Sequence, residues 1–195
     1  MSAPMIVLLA AGGSTRMRGA DKLMEEVDGM PLLRLMAERC VKAGDTRVVL
    51  GPGQTARRAA IEDLSLEIVE AADTDGMAAS IRAGVHGVKA RAVMIVLADM
   101  PEITASDLHL LLGLAAQNLS PIVQAASADG QPGQPVVFAA KYLKHLAKLQ
   151  GDEGARSILQ AHARDVALIP LADRRALIDL DTPEDWAAWR VKTNR

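Results

Sequence analysis

The stretch Met5-Ile6-Val7-Leu8-Leu9-Ala10-Ala11-Gly12-Gly13-Ser14-Thr15-Arg16-Met17-Arg18-Gly19-Ala20-Asp21-Lys22 decides the fold of this chain. Its first five residues form an unbroken apolar run, short enough for a buried strand. The run empties into small, flexible residues and then meets three cations. Gly12 and Gly13 lack a Cβ, so backbone N–H groups there can approach a ligand closely. Arg16, Arg18 and Lys22 supply positive charge beside them. A strand, a glycine turn and clustered cations read as a phosphate-handling loop. The alternative is a surface turn with scattered basic residues.

Spacing excludes two commoner phosphate loops. A P-loop places Lys directly after its closing Gly, whereas Gly19 is followed by Ala20. The dinucleotide fingerprint needs Gly-x-Gly-x-x-Gly after the first strand, and Gly12-Gly13-Ser14 does not provide it. A nicotinamide oxidoreductase is disfavoured on that ground.

Beyond this stretch, strand-like and helical runs alternate. The pattern predicts strands over Met5–Leu9, Arg47–Leu50, Leu66–Glu70, Val93–Leu97, Ile122–Ala126, Val136–Phe138, Val166–Pro170 and Ala176–Leu180. Helices are predicted over Met30–Ala43, Thr55–Leu64, Met77–Val85, Thr104–Gln117, Lys141–Leu149, Ala155–Ala163 and Thr182–Arg190. Pro31 suits a first helical turn, Gly44 a helix end, and Thr104-x-x-Asp107 a capping box. Such alternation implies right-handed βαβ units and a mainly parallel sheet. The expected fold is α/β, a three-layer α/β/α Rossmann-like arrangement, with residues 1–195 as a single domain. In such sheets, ligands sit beyond the carboxyl ends of the strands. Gly12–Lys22, Gly51–Gln54, Ala72–Gly76 and Asp99-Met100-Pro101 all fall there, so one crevice can be lined by all four. Ser127–Pro135 reads as a loop between strands, open to a substrate.

Composition narrows the class. The chain has 195 residues, enough for one good core. Aromatics are only 2%, so the core is aliphatic and stacking is not the main device for reading a base. A net charge of −2 without a polybasic block argues against a nucleic-acid partner. Cys40 is the single cysteine, which excludes an intrachain disulfide, and its helical apolar setting reads as core. The N-terminal apolar run lacks a basic flank and ends in the glycine loop, so it reads as a strand rather than a signal peptide. No apolar run reaches the ~18 residues of a membrane span. A cytoplasmic enzyme fits these features. The four histidines, His86, His109, His145 and His162, lie in helical stretches without metal-ligand spacing.

Several motifs recur in a fixed order: Leu9-Ala10-Ala11-Gly12, Arg16-Met17, Lys22, Gly76-Met77-Ala78-Ala79-Ser80, Asp99-Met100-Pro101, Gly133-Gln134-Pro135-Val136-Val137-Phe138, Gly151-Asp152-Glu153-Gly154-Ala155-Arg156 and Asp179-Leu180-Asp181-Thr182-Pro183-Glu184-Asp185. In that set and order the chain resembles the MobA-like nucleotidyltransferases, which attach a nucleotide to molybdopterin. The resemblance covers nearly the whole chain. It implies a GT-A-like nucleotidyltransferase fold, a nucleoside triphosphate and a molybdopterin-type substrate as partners, delivery to a molybdoenzyme or its chaperone, and Mg²⁺ bound by Asp99.

Nucleotidyl transfer is attack of a phosphate oxygen on the α-phosphorus, with pyrophosphate leaving. The nucleophile is already an anion, so what the reaction needs is charge neutralisation and alignment of two polyanions. Lys22 and Arg16 are the candidates for the triphosphate and leaving group. Leu9, Ala10, Ala11, Gly12, Gly13 and Ser14 offer mainly backbone groups to the base and sugar. Asp99 is a lone carboxylate after an apolar run. Mg²⁺ prefers oxygen and takes one or two protein carboxylates; the other reading of Asp99 is a helix cap. Asp73 and Asp75 lie in the loop after the third strand, which the family uses for ribose or base. Gly76 and Ser80 stand at a helix start, where Ser80 either binds a phosphate or caps. Gly133, Pro135 and Arg156 are the candidates for the acceptor, with Arg156 toward the pterin phosphate. Asp152 and Glu153 also read as helix N-terminal acids. Asp181 reads chiefly as part of a helix start, with a second metal role as the alternative.

Base choice divides the motifs. Ala11, Gly133-x-Pro135 and Gly151–Arg156 look like the cytidylyl branch, and the six-residue step from Arg16 to Lys22 looks like the guanylyl branch. CTP is the expected donor and GTP the alternative. Sugar-phosphate or phosphocholine nucleotidyltransferases share the fold. A non-catalytic nucleotide-binding chaperone is the remaining alternative, and the cations and Asp99 argue against it.

Overall fold

Met5–Leu9 (β1) pairs in parallel with two strands at once, Asp45–Leu50 (β4) and Ala92–Leu97 (β6). It is therefore the centre of the sheet and needs apolar residues on both faces. Its side chains alternate accordingly. Ile6 and Leu8 enter one core, and Val7 and Leu9 enter the other. In β6, Met94 and Val96 join the first core, while Val93 and Ile95 join the second. The computed structural model describes residues 3–72, 76–151 and 154–195.

The sheet has seven strands. Outward from β4 lies Glu67–Glu70 (β5). Beyond β6 come Pro132–Ala139 (β8), Ile122–Ala126 (β7) and Val166–Pro170 (β9), in that order. Only β8 opposes its neighbours; the pairs β5–β4, β4–β1, β1–β6 and β7–β9 are parallel. A small ribbon joins Glu26–Val27 (β2) to Met30–Pro31 (β3). Helices cover both faces, as a mainly parallel sheet requires. Leu32–Ala43 (α1), Ala105–Ala116 (α4) and Pro183–Thr193 (α7) pack on the first core, where Trp186 and Trp189 are buried. Gly76–Val85 (α3), Leu143–Leu146 (α5) and Arg156–Ala161 (α6) pack on the second. The short helix Thr55–Ala59 (α2) follows β4. The expected mainly parallel α/β architecture is the observed one.

Local chemistry sets the boundaries. Thr104 caps α4 through a reciprocal box with Asp107, and Thr182 caps α7 in the same way with Asp185. Each cap is worth about 1 kcal/mol. Cys40 is fully buried in α1. Several boundaries differ from the sequence reading. Pro132–Pro135, read as the end of a loop, belongs to β8, which pairs along its length with β6 and β7. Pro31 precedes α1 rather than opening it, because the Leu32 and Leu33 N–H groups donate to the Glu25 and Leu23 carbonyls and leave Pro31 extended. The helix expected to run to Leu64 stops at Ala59 and continues as turns. Lys141–Leu149 divides into a 3-10 turn, Ala140–Tyr142, and the short α5. Ala176–Leu180 is not a strand: Arg175–Leu177 is a 3-10 turn pressed against β8. Gly133 makes that approach possible, since a Cβ there would stand 2.1 Å from the Ala176 carbonyl oxygen.

Candidate active site

The carboxyl ends of β1 and β6 are tied together and then tied to a distant segment. Ala98 N–H donates to the Leu9 carbonyl, and Leu180 N–H donates to the Asp99 carbonyl at 3.0 Å. The second bond brings Asp99, just past β6, beside Asp181, just before α7. Between them stands Lys22. Its ammonium donates to Asp99 Oδ2 and to Asp181 Oδ1, both at 2.5 Å. Arg16 donates to the other Asp181 oxygen at 2.5 Å. Arg18 reaches Glu184 on α7 at 2.5 Å. The Lys22 and Asp99 side chains are only 13% and 16% exposed, while Arg16 is 71% exposed. Lys22 and Asp99 thus form the floor of the site, and Arg16 lies exposed at its mouth, paired with Asp181. A recess of about 220 Å³, lined by Ser14, Thr15, Arg16, Lys22 and Asp181, opens here. A larger apolar recess, about 600 Å³, lies at the other end of the sheet around Ala92, Leu112 and Pro121, and no carboxylate lines it.

Charge explains the titration behaviour. Burial alone would lower the Lys22 pKa, but Asp99 and Asp181 outweigh it and hold the ammonium above its ordinary value. Asp179 is pushed up by burial and by the negative charges of Asp99 and Asp181. Two carboxylates therefore bond one cation, and Asp179 senses the charge of all three. Asp99 Oδ1 is buried and has no hydrogen-bond partner. Among the described residues no cluster of three metal-ligating side chains forms, but a buried, unpartnered carboxylate oxygen is the kind of hard donor a divalent cation takes. Asp99 does not cap α4; Thr104 and Asp107 do that.

The loop itself is open to a ligand. A Cβ at Gly12 would meet nothing within 4 Å, and one at Gly13 would touch only Thr15 Cγ2 at 3.8 Å. Neither glycine is demanded by packing. Leu9 and Ala10 are buried, and their backbone is already engaged: the Leu9 carbonyl accepts from Ala98, Ala10 N–H donates to Val49, and the Ala10 carbonyl accepts from Arg57, so they do not offer these groups to a base or sugar; Ala11 is half-buried and its carbonyl accepts from Gln54. Ser14 has φ 51°, and its hydroxyl accepts from the Lys22 N–H at 3.2 Å and donates to Asp21 Oδ1 at 3.1 Å.

Other candidates are placed less directly. Ser80 is the fifth residue of α3 and 8% exposed. It stands past the first helical turn, where the unpaired N–H groups of a helix start lie. Gly76 opens α3 with φ 62°. Gly133 and Pro135 belong to β8; Gly133 serves the approach of Ala176, and Pro135 is buried. Arg156 is exposed at the start of α6, and the loop before it reaches α3 through the Ala78 N–H bond to the Gly151 carbonyl. Asp73, Asp75, Asp152 and Glu153 lie outside the described residues.

Two participants were under-read in the sequence. Asp181 looked like a helix start, and only the Leu180–Asp99 backbone bond reveals its place beside Lys22. Arg57 lies inside the helix predicted over Thr55–Leu64 with no local signal of a role, yet its side chain is 2% exposed and is bound to Asp21, Ser14 and Ala10.

Cations and carboxylates beside an open glycine loop, at the carboxyl ends of parallel strands, meet what nucleotidyl transfer requires, and the chain is a nucleotidyltransferase by family. Comparison with known proteins makes the assignment specific. The MobA-like NTP transferase domain matches residues 6–166, and the chain belongs to that family. The chain is 29% identical over 182 residues to the molybdenum cofactor guanylyltransferase of Pseudomonas aeruginosa (strain LESB58), covering 92% of this chain and 90% of that one. It is 29% identical over 126 residues to the purine catabolism protein PucB of Bacillus subtilis (strain 168), covering 63% of this chain; the match spans 59% of PucB. The fold is also that of Rv0371c from Mycobacterium tuberculosis H37Rv, with a TM-score of 0.83, 24% identity and coverage of 96% and 97%. A structure of Rv0371c in complex with manganese has a TM-score of 0.79. Among the described residues, no helix is long and apolar enough to cross a membrane.

Proposed function

We propose that this chain transfers a nucleoside monophosphate, CMP from CTP, to the terminal phosphate of a molybdopterin-type acceptor and releases pyrophosphate. The observation that carries the reading is the placement of Lys22 between Asp99 and Asp181, under the open glycine loop. Residues 1–195 act as one catalytic unit in this reading, and the enzyme works in the cytoplasm.

The triphosphate lies along Gly12, Gly13 and Ser14, whose N–H groups face its oxygens. Lys22 and Arg16 take the β- and γ-phosphates and neutralise charge as it moves to the leaving group. Arg16 shifts from Asp181 to do so, which its exposure permits. Asp99 and Asp181 are the carboxylates that would hold Mg²⁺. The ion, when bound, would neutralise phosphate charge and fix the α-phosphate for in-line attack. Lys22, bonded to both carboxylates, is the buried cation closest to the glycine loop and to the phosphates in this reading. Gly133, Pro135 and Arg156 remain the proposed acceptor side, and Asp73 and Gly76 the proposed ribose and base side. The acceptor's phosphate attacks as an anion, so no side chain is required as a base.

A second reading, GTP as donor, is favoured by the Pseudomonas relative, named as a guanylyltransferase and aligned over 92% of this chain. Ala11, in place of a second loop glycine, supports CTP. Incubation with molybdopterin, Mg²⁺ and each of CTP, GTP, ATP and UTP, followed by pyrophosphate measurement, tests both readings. Turnover with CTP over GTP supports the first, the reverse order supports the second, and no pyrophosphate with any donor removes both.

A further inference from the structure

We propose that Arg57 is the positioning residue of the phosphate loop: it locks Asp21 and Ser14 so that Lys22 is aimed at the triphosphate. The inference rests on the reading of Lys22 as a phosphate ligand, and assigns a function to a residue of α2 that touches neither nucleotide nor acceptor in that reading.

Arg57 is a buried cation with nearly every donor used. Nε donates to Asp21 Oδ2 at 2.7 Å and Nη2 to Asp21 Oδ1 at 2.6 Å, a two-pronged pair. Nη1 donates to the Ala10 carbonyl at 2.5 Å, and Nη2 also reaches Ser14 Oγ at 3.0 Å. One side chain therefore grips the loop at its start, its bend and its end. Arginine suits the task because its donors form a rigid planar fork. Gln54, just before α2, adds a strut: its Nε2 donates to the Ala11 carbonyl at 3.0 Å while its Oε1 accepts from Gly51 N–H at 2.7 Å.

The loop needs such a grip. Ser14 and Arg18 adopt left-handed backbone at φ 51° and 53°, a region that non-glycine residues rarely occupy unless their surroundings impose it. Packing does not impose it here, since Gly12 and Gly13 border open space. The hydrogen bonds to Ser14 do. Its hydroxyl accepts from Arg57 and from the Lys22 backbone N–H, and donates to Asp21. Leu23 N–H donates to Asp21 Oδ1 at 3.0 Å, so Asp21 and Ser14 bracket Lys22 from both sides.

Arg57 also settles a charge conflict. Asp21 adjoins Lys22 in sequence, close to where a polyanion is to bind. Burial would raise its pKa, but the Arg57 guanidinium outweighs that and holds the carboxyl below its ordinary value. The charge of Asp21 is neutralised at once by its partner. Without Arg57, Asp21 would oppose the triphosphate and compete for the Lys22 ammonium.

The test uses pyrophosphate as the probe of the phosphate subsite, with full-length Arg57→Lys, Asp21→Asn and Lys22→Ala proteins. Affinity is measured by calorimetry on protein that melts cooperatively. Arg57→Lys keeps the charge and loses the fork; its affinity for pyrophosphate is expected to fall about tenfold or more, since small misplacements of a binding group carry such costs. Asp21→Asn is half-exposed and shifts affinity in the same direction. A merely structural role would lower the melting temperature and leave the affinity of the folded protein at the wild-type value, and that result overturns the proposal. Should Arg57→Lys not fold, Asp21→Asn decides by the same criterion. Lys22→Ala separates the two levels. Wild-type affinity in Lys22→Ala removes the phosphate reading and this inference with it. Loss in Lys22→Ala with no loss in the folded Arg57 and Asp21 variants removes the positioning role alone.

Discussion

Replacing Asp99 by Asn keeps the shape of the side chain and deletes one of the two charges bonded to Lys22. The structure sets two separate magnitudes. For stability, Lys22 loses one charged partner at 2.5 Å and keeps the other, Asp181, also at 2.5 Å. The ammonium is therefore not orphaned, and the cost is that of a charge-assisted bond, about 1–3 kcal/mol. Stranding a buried charge outright costs about 3–5 kcal/mol. The substitution also relieves Asp179, whose pKa is raised by burial and by the Asp99 charge, which offsets part of that loss. For catalysis, the unpartnered Oδ1 loses the charge that suits it to a divalent cation. Loss of metal positioning is expected to lower turnover on the order of 10²-fold, about 3 kcal/mol of transition-state stabilisation. The assay is pyrophosphate release with molybdopterin across a Mg²⁺ titration, beside a thermal melt of the same protein. Turnover near wild type with an unchanged Mg²⁺ dependence would refute the assignment of Asp99 to the metal.

Further outcomes follow from the same geometry. Lys22→Ala should weaken triphosphate binding and slow transfer while leaving binding of the unphosphorylated nucleoside unchanged; parallel loss of nucleoside binding would contradict the phosphate role. Ala11→Gly should raise the GTP to CTP ratio of kcat/KM by a partial amount, since one methyl supplies only ~1–3 kcal/mol of discrimination; competition assays on both proteins check it, and an unchanged ratio means the base is read elsewhere. The Cys40 thiol, pushed up to about 12 by complete burial, should resist thiol reagents at pH 8 in the native protein and react in denaturant; rapid labelling of the native protein would show that α1 opens locally. Asp21 has a depressed pKa in the folded state, held down by Arg57 against the effect of burial. Its contribution to stability is therefore present above the unfolded value near 3.8 and lost as pH falls through the folded value. Acid melts of wild type and Asp21→Asn should converge at low pH, and a constant gap down to pH 2 would contradict the pairing.

The α/β architecture, and the end of the sheet where the candidate site lies, are legible in the order of residues. Runs such as Met5–Leu9 and Val93–Leu97 are apolar at every position, which only a strand covered on both faces requires. Strand ends that empty into Gly12-Gly13 or Asp99-Met100-Pro101 announce a crevice, because strand order and handedness leave few other arrangements. Thr104-x-x-Asp107 and Thr182-Pro183-x-Asp185 set two helix starts correctly, since a capping box is local chemistry. Where distant backbone intervened, local reading failed. Pro31 was displaced from α1 by carbonyls of Leu23 and Glu25, and Ala176 was held off strand geometry by its approach to Gly133. The candidate site is half legible for the same reason. Arg16, Lys22 and Asp99 stand out by residue type and by following strands. Asp181 enters only through a backbone bond between residues 99 and 180, and Arg57 only through burial beneath the glycine loop. A charged side chain in sequence carries no sign of whether water or a buried carboxylate will be its partner. Tertiary packing decides that, because it alone fixes which charges share a low-dielectric space.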